Sequence, residues 1–296
     1  MERTTILYEQ PAEGVARIVL NRPEMRNAQD TRLLYELNDA LDEAAHDPAI
    51  RVIILAANGP HFSAGHDIRE TGHLETQAQF RPVGTQAGYR APGAEGRMAR
   101  EEEVYVGFCE RWRNIPKPTI AAVQGSCISG GLMLAWPMDL IIAADDAKFV
   151  DVTVAMGIAG VEYFAHPWEV GVRKAKEMLF TGDPLSAEEA KQLGMVNRVV
   201  PRAELEAQTL ALAQKIARQP TFAVKSAKLA VNTAQDAQGR HAAFAAAFAM
   251  HHLNHSHAME VHGVPVDPNG IHGGVRKAYK EGEEPFRRPA ATSASS

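Results

Sequence analysis

Two short segments of this 296-residue chain carry residue types suited to chemistry on an activated carbonyl. The first is His61-Phe62-Ser63-Ala64-Gly65-His66-Asp67-Ile68-Arg69, directly after the apolar run 51–56. The second is Lys117-Pro118-Thr119-Ile120-Ala121-Ala122-Val123-Gln124-Gly125, which runs on into Ser129-Gly130-Gly131. Each puts small residues where a strand ends, and small residues let a ligand touch the backbone. A glycine-rich helix start leaves N–H groups unpaired at the positive end of the helix dipole. One N–H from each segment, aimed at one point, would bind a developing oxyanion, and one such donor is worth roughly 2.7–4 kcal/mol.

Other chemistry has thinner support. Ser63, Ser126 and Ser129 lie among these glycines, but no G-x-S-x-G elbow surrounds any of them. Cys109 and Cys127 are the only cysteines, which excludes a disulfide framework and a CxxC zinc site. His251, His252, His255, His257 and His262 crowd one stretch, and His251 and His255 share a helix face at i, i+4. With no HExxH and no nearby cysteine, that run reads as a polar helix end near a subunit contact, and no metal site is expected. No P-loop and no G-x-G-x-x-G supports nucleotide chemistry.

The elements that must position these segments follow from periodicity. Residues 15–20 read as a strand ended by Asn21-Arg22-Pro23, and 31–46 as a helix capped by Asp30. Residues 51–56 read as a buried strand and 57–67 as a loop. The stretch 71–97 is rich in glycine and proline and reads as an irregular, pocket-shaping loop. A helix is expected over 98–114, stopped by Pro116 and Pro118, then a strand at 119–124, a turn at 125–131, a short helix from 132 and a strand at 140–143. Helical patterns then dominate (173–181, 186–193, 202–219, 221–235, 239–256), broken by a strand at 196–200. The Ala/Ser/Pro-rich residues 287–296 read as a disordered tail. The plan is an α/β core followed by a helical C-terminal part.

Composition narrows the class. The chain has 31 Lys+Arg against 36 Asp+Glu, a net charge of −5, and a hydrophobic fraction of 45%. The acidic balance argues against a nucleic-acid partner. No run of about 18 apolar residues suggests a membrane span, and Glu2, Glu9 and Glu13 occupy a start without an apolar signal core. A soluble cytoplasmic protein is expected.

With these residues in view, the chain resembles the crotonase superfamily (enoyl-CoA hydratase/isomerase). The matching pieces are LNRPEMRNA (20–28), RVIILAANGPHFSAGHDIRE (51–70), PKPTIAAVQG (116–125), SGGLMLA (129–135), DLIIAADDAKF (139–149) and GMVNRVVP (194–201), in the family order. The resemblance implies a ClpP-like spiral of strand-strand-helix repeats over residues 1–200, then a helical trimerisation region over 201–286. It implies a homotrimer or homohexamer acting on an acyl-CoA thioester in acyl-CoA or fatty-acid metabolism. Coenzyme A would enter as part of the substrate, with no separate cofactor. By position, His66 and Gly130 would supply the two oxyanion N–H groups. Arg26, Ala64, His66, Asp67, Ile68, Arg69 and Gly130 would line the coenzyme A path.

The chain departs from the hydratase pattern at the catalytic pair. Family hydratases use two Glu residues, and here those positions hold Met133 and Thr153. Methionine cannot move a proton, and threonine is a poor base at neutral pH. The remaining candidates are Glu162, which is preferred, then Asp151 and the His66 side chain. Some decarboxylating members share the FSAGHD stretch and also lack the pair, because loss of carbon dioxide makes the enolate directly. The resemblance therefore implies a thioester enolate held by two N–H groups. It leaves open hydration, decarboxylation, isomerisation, thioester hydrolysis, or acyl-CoA binding without turnover.

Overall fold

The fold grows from a hairpin. Gly14, at φ +74°, turns β1 (Ile6–Ala12) into β2 (Val15–Leu20). In the computed structural model, which describes residues 3–268, Asp30 accepts the Leu33 N–H and caps α1 (Thr31–His46), which leads into β3 (Val52–Ala57). Within the stretch read as irregular lies α2 (His73–Gln77), and at its end begins α3 (Ala94–Glu101). A π-helical turn, Glu102–Gly107, joins α3 to α4 (Phe108–Arg113), so the expected 98–114 helix exists but is interrupted. Next come β4 (Thr119–Val123), β5 (Ser126–Ile128), α5 (Gly130–Ala135), β6 (Leu140–Ala144) and β7 (Lys148–Val150). The chain continues through α6 (His166–Val170), α7 (Val172–Thr181), β8 (Leu185–Ser186), α8 (Ala187–Gln192) and β9 (Arg198–Val200). It closes with α9 (Leu205–Ala217), α10 (Thr221–Asp236) and α11 (Arg240–His262).

The main sheet has six strands in the order β1-β2-β3-β4-β6-β9, parallel except for the β1/β2 hairpin. A second sheet orders β5-β7-β8. Side chains alternate across the main sheet. Ile53, Leu55, Ala121, Val123, Ile141 and Ala143 pack on the face shared with α1, α4 and α5. Val52, Ile54, Ile120, Ala122, Ile142 and Ala144 pack on the opposite face, against Leu205, Ala213 and Ala217 of α9. Burial on both faces is why these strands read as unbroken apolar runs, each large side chain contributing roughly 1.5–3 kcal/mol. Because α9 completes this core, the division at residue 200 separates stretches of sequence that share one packed sheet. The tail 287–296 lies outside the described residues.

Helix α11 turns back onto the first half of the chain. Its first residue, Arg240, is buried, bonds Glu110 of α4 and the Tyr163 hydroxyl, and lies 4.2 Å over the Phe244 ring. A guanidinium removed from water needs such partners, and they anchor α11 at its start. Arg240→Ala is expected to lower unfolding free energy by about 3 kcal/mol, toward the lower end of buried pairs because Glu110 keeps some solvent contact. Urea denaturation with an unchanged m-value checks this; a loss below about 1 kcal/mol contradicts the anchoring role.

Candidate active site

The loop after β3 meets the start of α5 backbone to backbone. Ser63 donates its N–H to Ser126 O and its carbonyl accepts the Ile128 N–H, which zips the loop along β5. Gly65 has φ +89°, and a Cβ there would lie 2.8 Å from Ile128 O and 3.2 Å from Gly130 N. A Cβ on Gly130 would meet His66 N at 3.1 Å and the His66 ring at 2.7 Å. Only glycine permits this approach at either place. The Gly130 N–H, at the first position of α5, has no intrahelical acceptor, and the His66 N–H meets no backbone acceptor among the described residues. The two expected donors are therefore adjacent and unpaired.

Ser129, just before Gly130, sits at φ +43°, a conformation that costs a non-glycine residue about 1–3 kcal/mol. A buried hub holds it there. Asp151 accepts the Ser129 hydroxyl, the Thr153 N–H and hydroxyl, the Val161 N–H and His166 Nε2 at 2.8 Å. Burial opposes its charge, yet the His166 ring and the Thr153 donors hold its carboxyl below the usual range. Asp151 thus fixes the residue before Gly130 and the residue before Glu162. Asp151, expected from the sequence as a candidate proton carrier, has a side chain that is 0% exposed and engaged on both oxygens by groups of the chain itself. Thr153 has its hydroxyl turned to Asp151, and Met133 is part of the core. Neither family Glu position offers an acid or base.

The titratable groups at the site are His66 and Glu162. His66 Nε2 lies 3.2 Å from Glu162 Oε2, and the His66 ring stacks on Tyr105 with centroids 4.0 Å apart. The His66 side chain is 25% exposed and that of Glu162 only 5%, so the imidazole is the outer member of the pair and the carboxylate the inner one. Burial works to raise the Glu162 pKa, but the His66 and His251 rings outweigh it and hold the carboxyl well below its ordinary range. A permanent carboxylate keeps the His66 proton on Nε2. The buried Nδ1 has no hydrogen-bond partner and lies beside Gly130.

The residues expected to meet coenzyme A are assembled by the same loop. Arg26 and Asn27 adopt φ of 52° and 51°, and the Ala64 N–H donates to Arg26 O. Asn27 bonds the Asn58 and His61 carbonyls and binds this turn to the loop. The Asp67 carboxylate is held by Arg22 and Arg69, which leaves Ile68 and the Arg69 side chain as the exposed face. A cavity of about 290 Å³ opens there, lined by Arg22, Arg32, Arg69, Asp67 and Glu70. The sequence reading did not name Arg22 and Arg32, which reach this cavity only through the fold of the loop.

It also missed the second layer behind Glu162. His251 Nε2 lies 3.4 Å from Glu162 Oε1. His251, His252 and His255 are buried around Glu101, at the end of α3. Three of the five histidines of the run are therefore buried within the chain, behind Glu162, while His257 and His262 are exposed. The i, i+4 spacing was the visible signal, but its partner Glu101 is distant in sequence. Burial and the charge of Glu162 push the Glu101 carboxyl up to about 8.

Comparison with known proteins fits this geometry. A family profile described as enoyl-CoA hydratase/isomerase matches residues 10–266. EchA13 of Mycobacterium tuberculosis, to which enoyl-CoA hydratase activity is ascribed, is 45% identical over 87% of this chain and 83% of its own. The crystal structure of a probable enoyl-CoA hydratase from Mycobacterium smegmatis superposes with a TM-score of 0.80 at 51% identity, over 88% of this chain and 98% of that one. An enoyl-CoA hydratase/isomerase from Xanthobacter autotrophicus Py2 gives 0.76 at 33% identity, over 93% of each chain.

Asp151→Ala is expected to destabilise the protein by about 3 kcal/mol at neutral pH, since it strips partners from several buried donors at once. Its carboxyl is held below the unfolded value near 3.9, so the ionised form stabilises the fold above that pH and the benefit fades as pH falls further. Denaturation at pH 7 and pH 3 checks both parts; a gap between wild type and variant that widens in acid contradicts this role.

Proposed function

The chain belongs to the enoyl-CoA hydratase/isomerase family, and from that premise we propose that it moves a proton at the α-carbon of an acyl-CoA thioester. His66 is the base and Glu162 its supporting carboxylate. The observation that carries this reading is the unpartnered His66 Nδ1, beside Gly130, with Nε2 held by Glu162. The thioester carbonyl oxygen takes its place between the His66 and Gly130 N–H groups. As the α-proton leaves, charge moves onto that oxygen, where fixed dipoles stabilise it without reorganising. The proton passes to Nδ1, and Glu162 stabilises the imidazolium that forms. Returned to a different carbon, the same proton completes a double-bond isomerisation. Hydration would need a further acid or base at the Met133 or Thr153 position, and neither side chain supplies one. Arg26, Ala64, Ile68 and Arg69 are assigned to the coenzyme A half of the substrate.

A second reading is decarboxylation of a carboxylated acyl-CoA, favoured by the inert Met133 and Thr153. Loss of carbon dioxide leaves the enolate in the same N–H pair without a base. For assembly, the homotrimer or homohexamer is assigned to the C-terminal helices. Helix α10 buries none of its residues and exposes Phe222, Leu229 and Val231, as a subunit-contact helix would.

His66→Ala removes the imidazole and keeps the backbone N–H. In D2O with a panel of acyl-CoA thioesters, wild type is expected to exchange α-hydrogen for deuterium, read by mass. His66→Ala should slow this by roughly 10²–10⁴-fold while thioester binding persists. Glu162→Gln should slow it on the order of a hundredfold or more. Unchanged exchange in His66→Ala removes His66 as base. Loss of carbon dioxide insensitive to His66→Ala selects the second reading. Free coenzyme A with free acid would mean hydrolysis, and binding without any turnover a non-catalytic acyl-CoA-binding protein.

A further inference from the structure

Helix α11 brings three ligand-type side chains to one buried point behind Glu162. The His251 Nδ1 bonds the Gly160 carbonyl and the His255 Nδ1 bonds the Pro265 carbonyl. A carbonyl oxygen only accepts, so both Nδ1 atoms carry protons, and in neutral rings both Nε2 atoms are bare lone pairs. Those two Nε2 atoms are 2.9 Å apart. Facing lone pairs at that distance repel unless a proton or a metal ion lies between them. Pairing of the outer ring nitrogen with a backbone carbonyl is also how proteins orient metal-ligating histidines.

Glu101 completes the point. Its Oε2 lies 3.8 Å from His251 Nε2 and 4.0 Å from His255 Nε2, and it has no hydrogen-bond partner although the residue is only 7% exposed. A buried carboxylate oxygen with nothing to accept from is costly. The circle through three atoms 2.9, 3.8 and 4.0 Å apart has a radius of about 2.1 Å, the length of a zinc–imidazole or zinc–carboxylate bond. His252, with both ring nitrogens unpartnered, places its Nε2 3.3 Å from the same Glu101 oxygen.

We propose that Glu101, His251 and His255 bind a divalent transition-metal ion, zinc being the best fit, directly behind Glu162. Two imidazoles and one carboxylate suit zinc and its neighbours and disfavour magnesium and calcium, which take oxygen ligands. Binding a dication would displace the proton from Glu101 and balance the resulting carboxylate together with that of Glu162. Three protein ligands leave a position open toward His252 or Glu162 Oε1. The site holds or fails independently of the reaction at His66.

The test uses the full-length, tag-free protein, stripped with a chelator and titrated with zinc sulfate against a chromogenic competitor. Bound metal is counted by elemental mass spectrometry. One zinc per chain is expected, with affinity reduced on the order of a hundredfold in Glu101→Gln and in His255→Ala, and unchanged when the exposed His257 is replaced by alanine. Failure to bind zinc at micromolar concentration overturns the site, and a shared proton then separates the two rings. Binding that survives both variants also overturns it. Should either variant not fold, X-ray absorption at the zinc edge of wild type decides: scattering from two or more imidazoles supports the site, and a shell without imidazole overturns it.

Discussion

Backbone must touch backbone where the loop after β3 meets the start of α5, and most of the site follows from that contact. Two N–H groups from distant parts of the chain can face one oxygen only if no side chain stands between them. Gly65 and Gly130 remove the Cβ atoms that would collide with Ile128 O and with the His66 ring. The contact also forces Ser129 into a conformation that L-residues avoid, and a buried carboxylate holds it there. The same Asp151 grips Val161, so the electrophilic and the basic halves of the site share one support.

The legible part of the sequence was what local chemistry dictates. Strands buried on both faces must be apolar throughout, and β3, β4 and β6 read that way. Gly65 and Gly130 were legible through the ordered set of matching pieces, because a glycine at a strand end taken singly is most often a turn. β1 was not, since an edge strand with Glu9, Gln10 and Pro11 lacks the alternation of a half-buried one. Asp151 was named as a proton carrier because its type permits it; only its partners reveal a positioning role. Tyr105 and Glu101 left no mark, because the contacts that matter reach His66 and the α11 histidines across long separations.

Charge at the site is lopsided. The outer side of the pair is one titratable ring, His66, while the Glu162 carboxylate is buried behind it, beside a second buried carboxyl group and three further imidazoles. The opposite positions hold Met133 and Thr153, which contribute packing and a hydrogen bond to Asp151. Such a site carries its titratable groups on a single side. Arg240 matters here indirectly, since it anchors the helix that closes the back of the site.

The π-helical turn at Glu102–Gly107 sets the phase of everything near it. It separates Glu101, which faces α11, from Tyr105, which lies within the turn and stacks on His66. A π turn accommodates one residue more than an α turn. Deleting a single residue there would restore regular winding and leave α3 and α4 in the same phase. Residues inside the turn, Tyr105 among them, would point elsewhere although their identities had not changed. Comparing chains of this kind by residue identity alone therefore misaligns them here. The length of the 94–113 segment is itself a heritable character, and it tells which relatives can bring an aromatic ring to the place where Tyr105 meets His66.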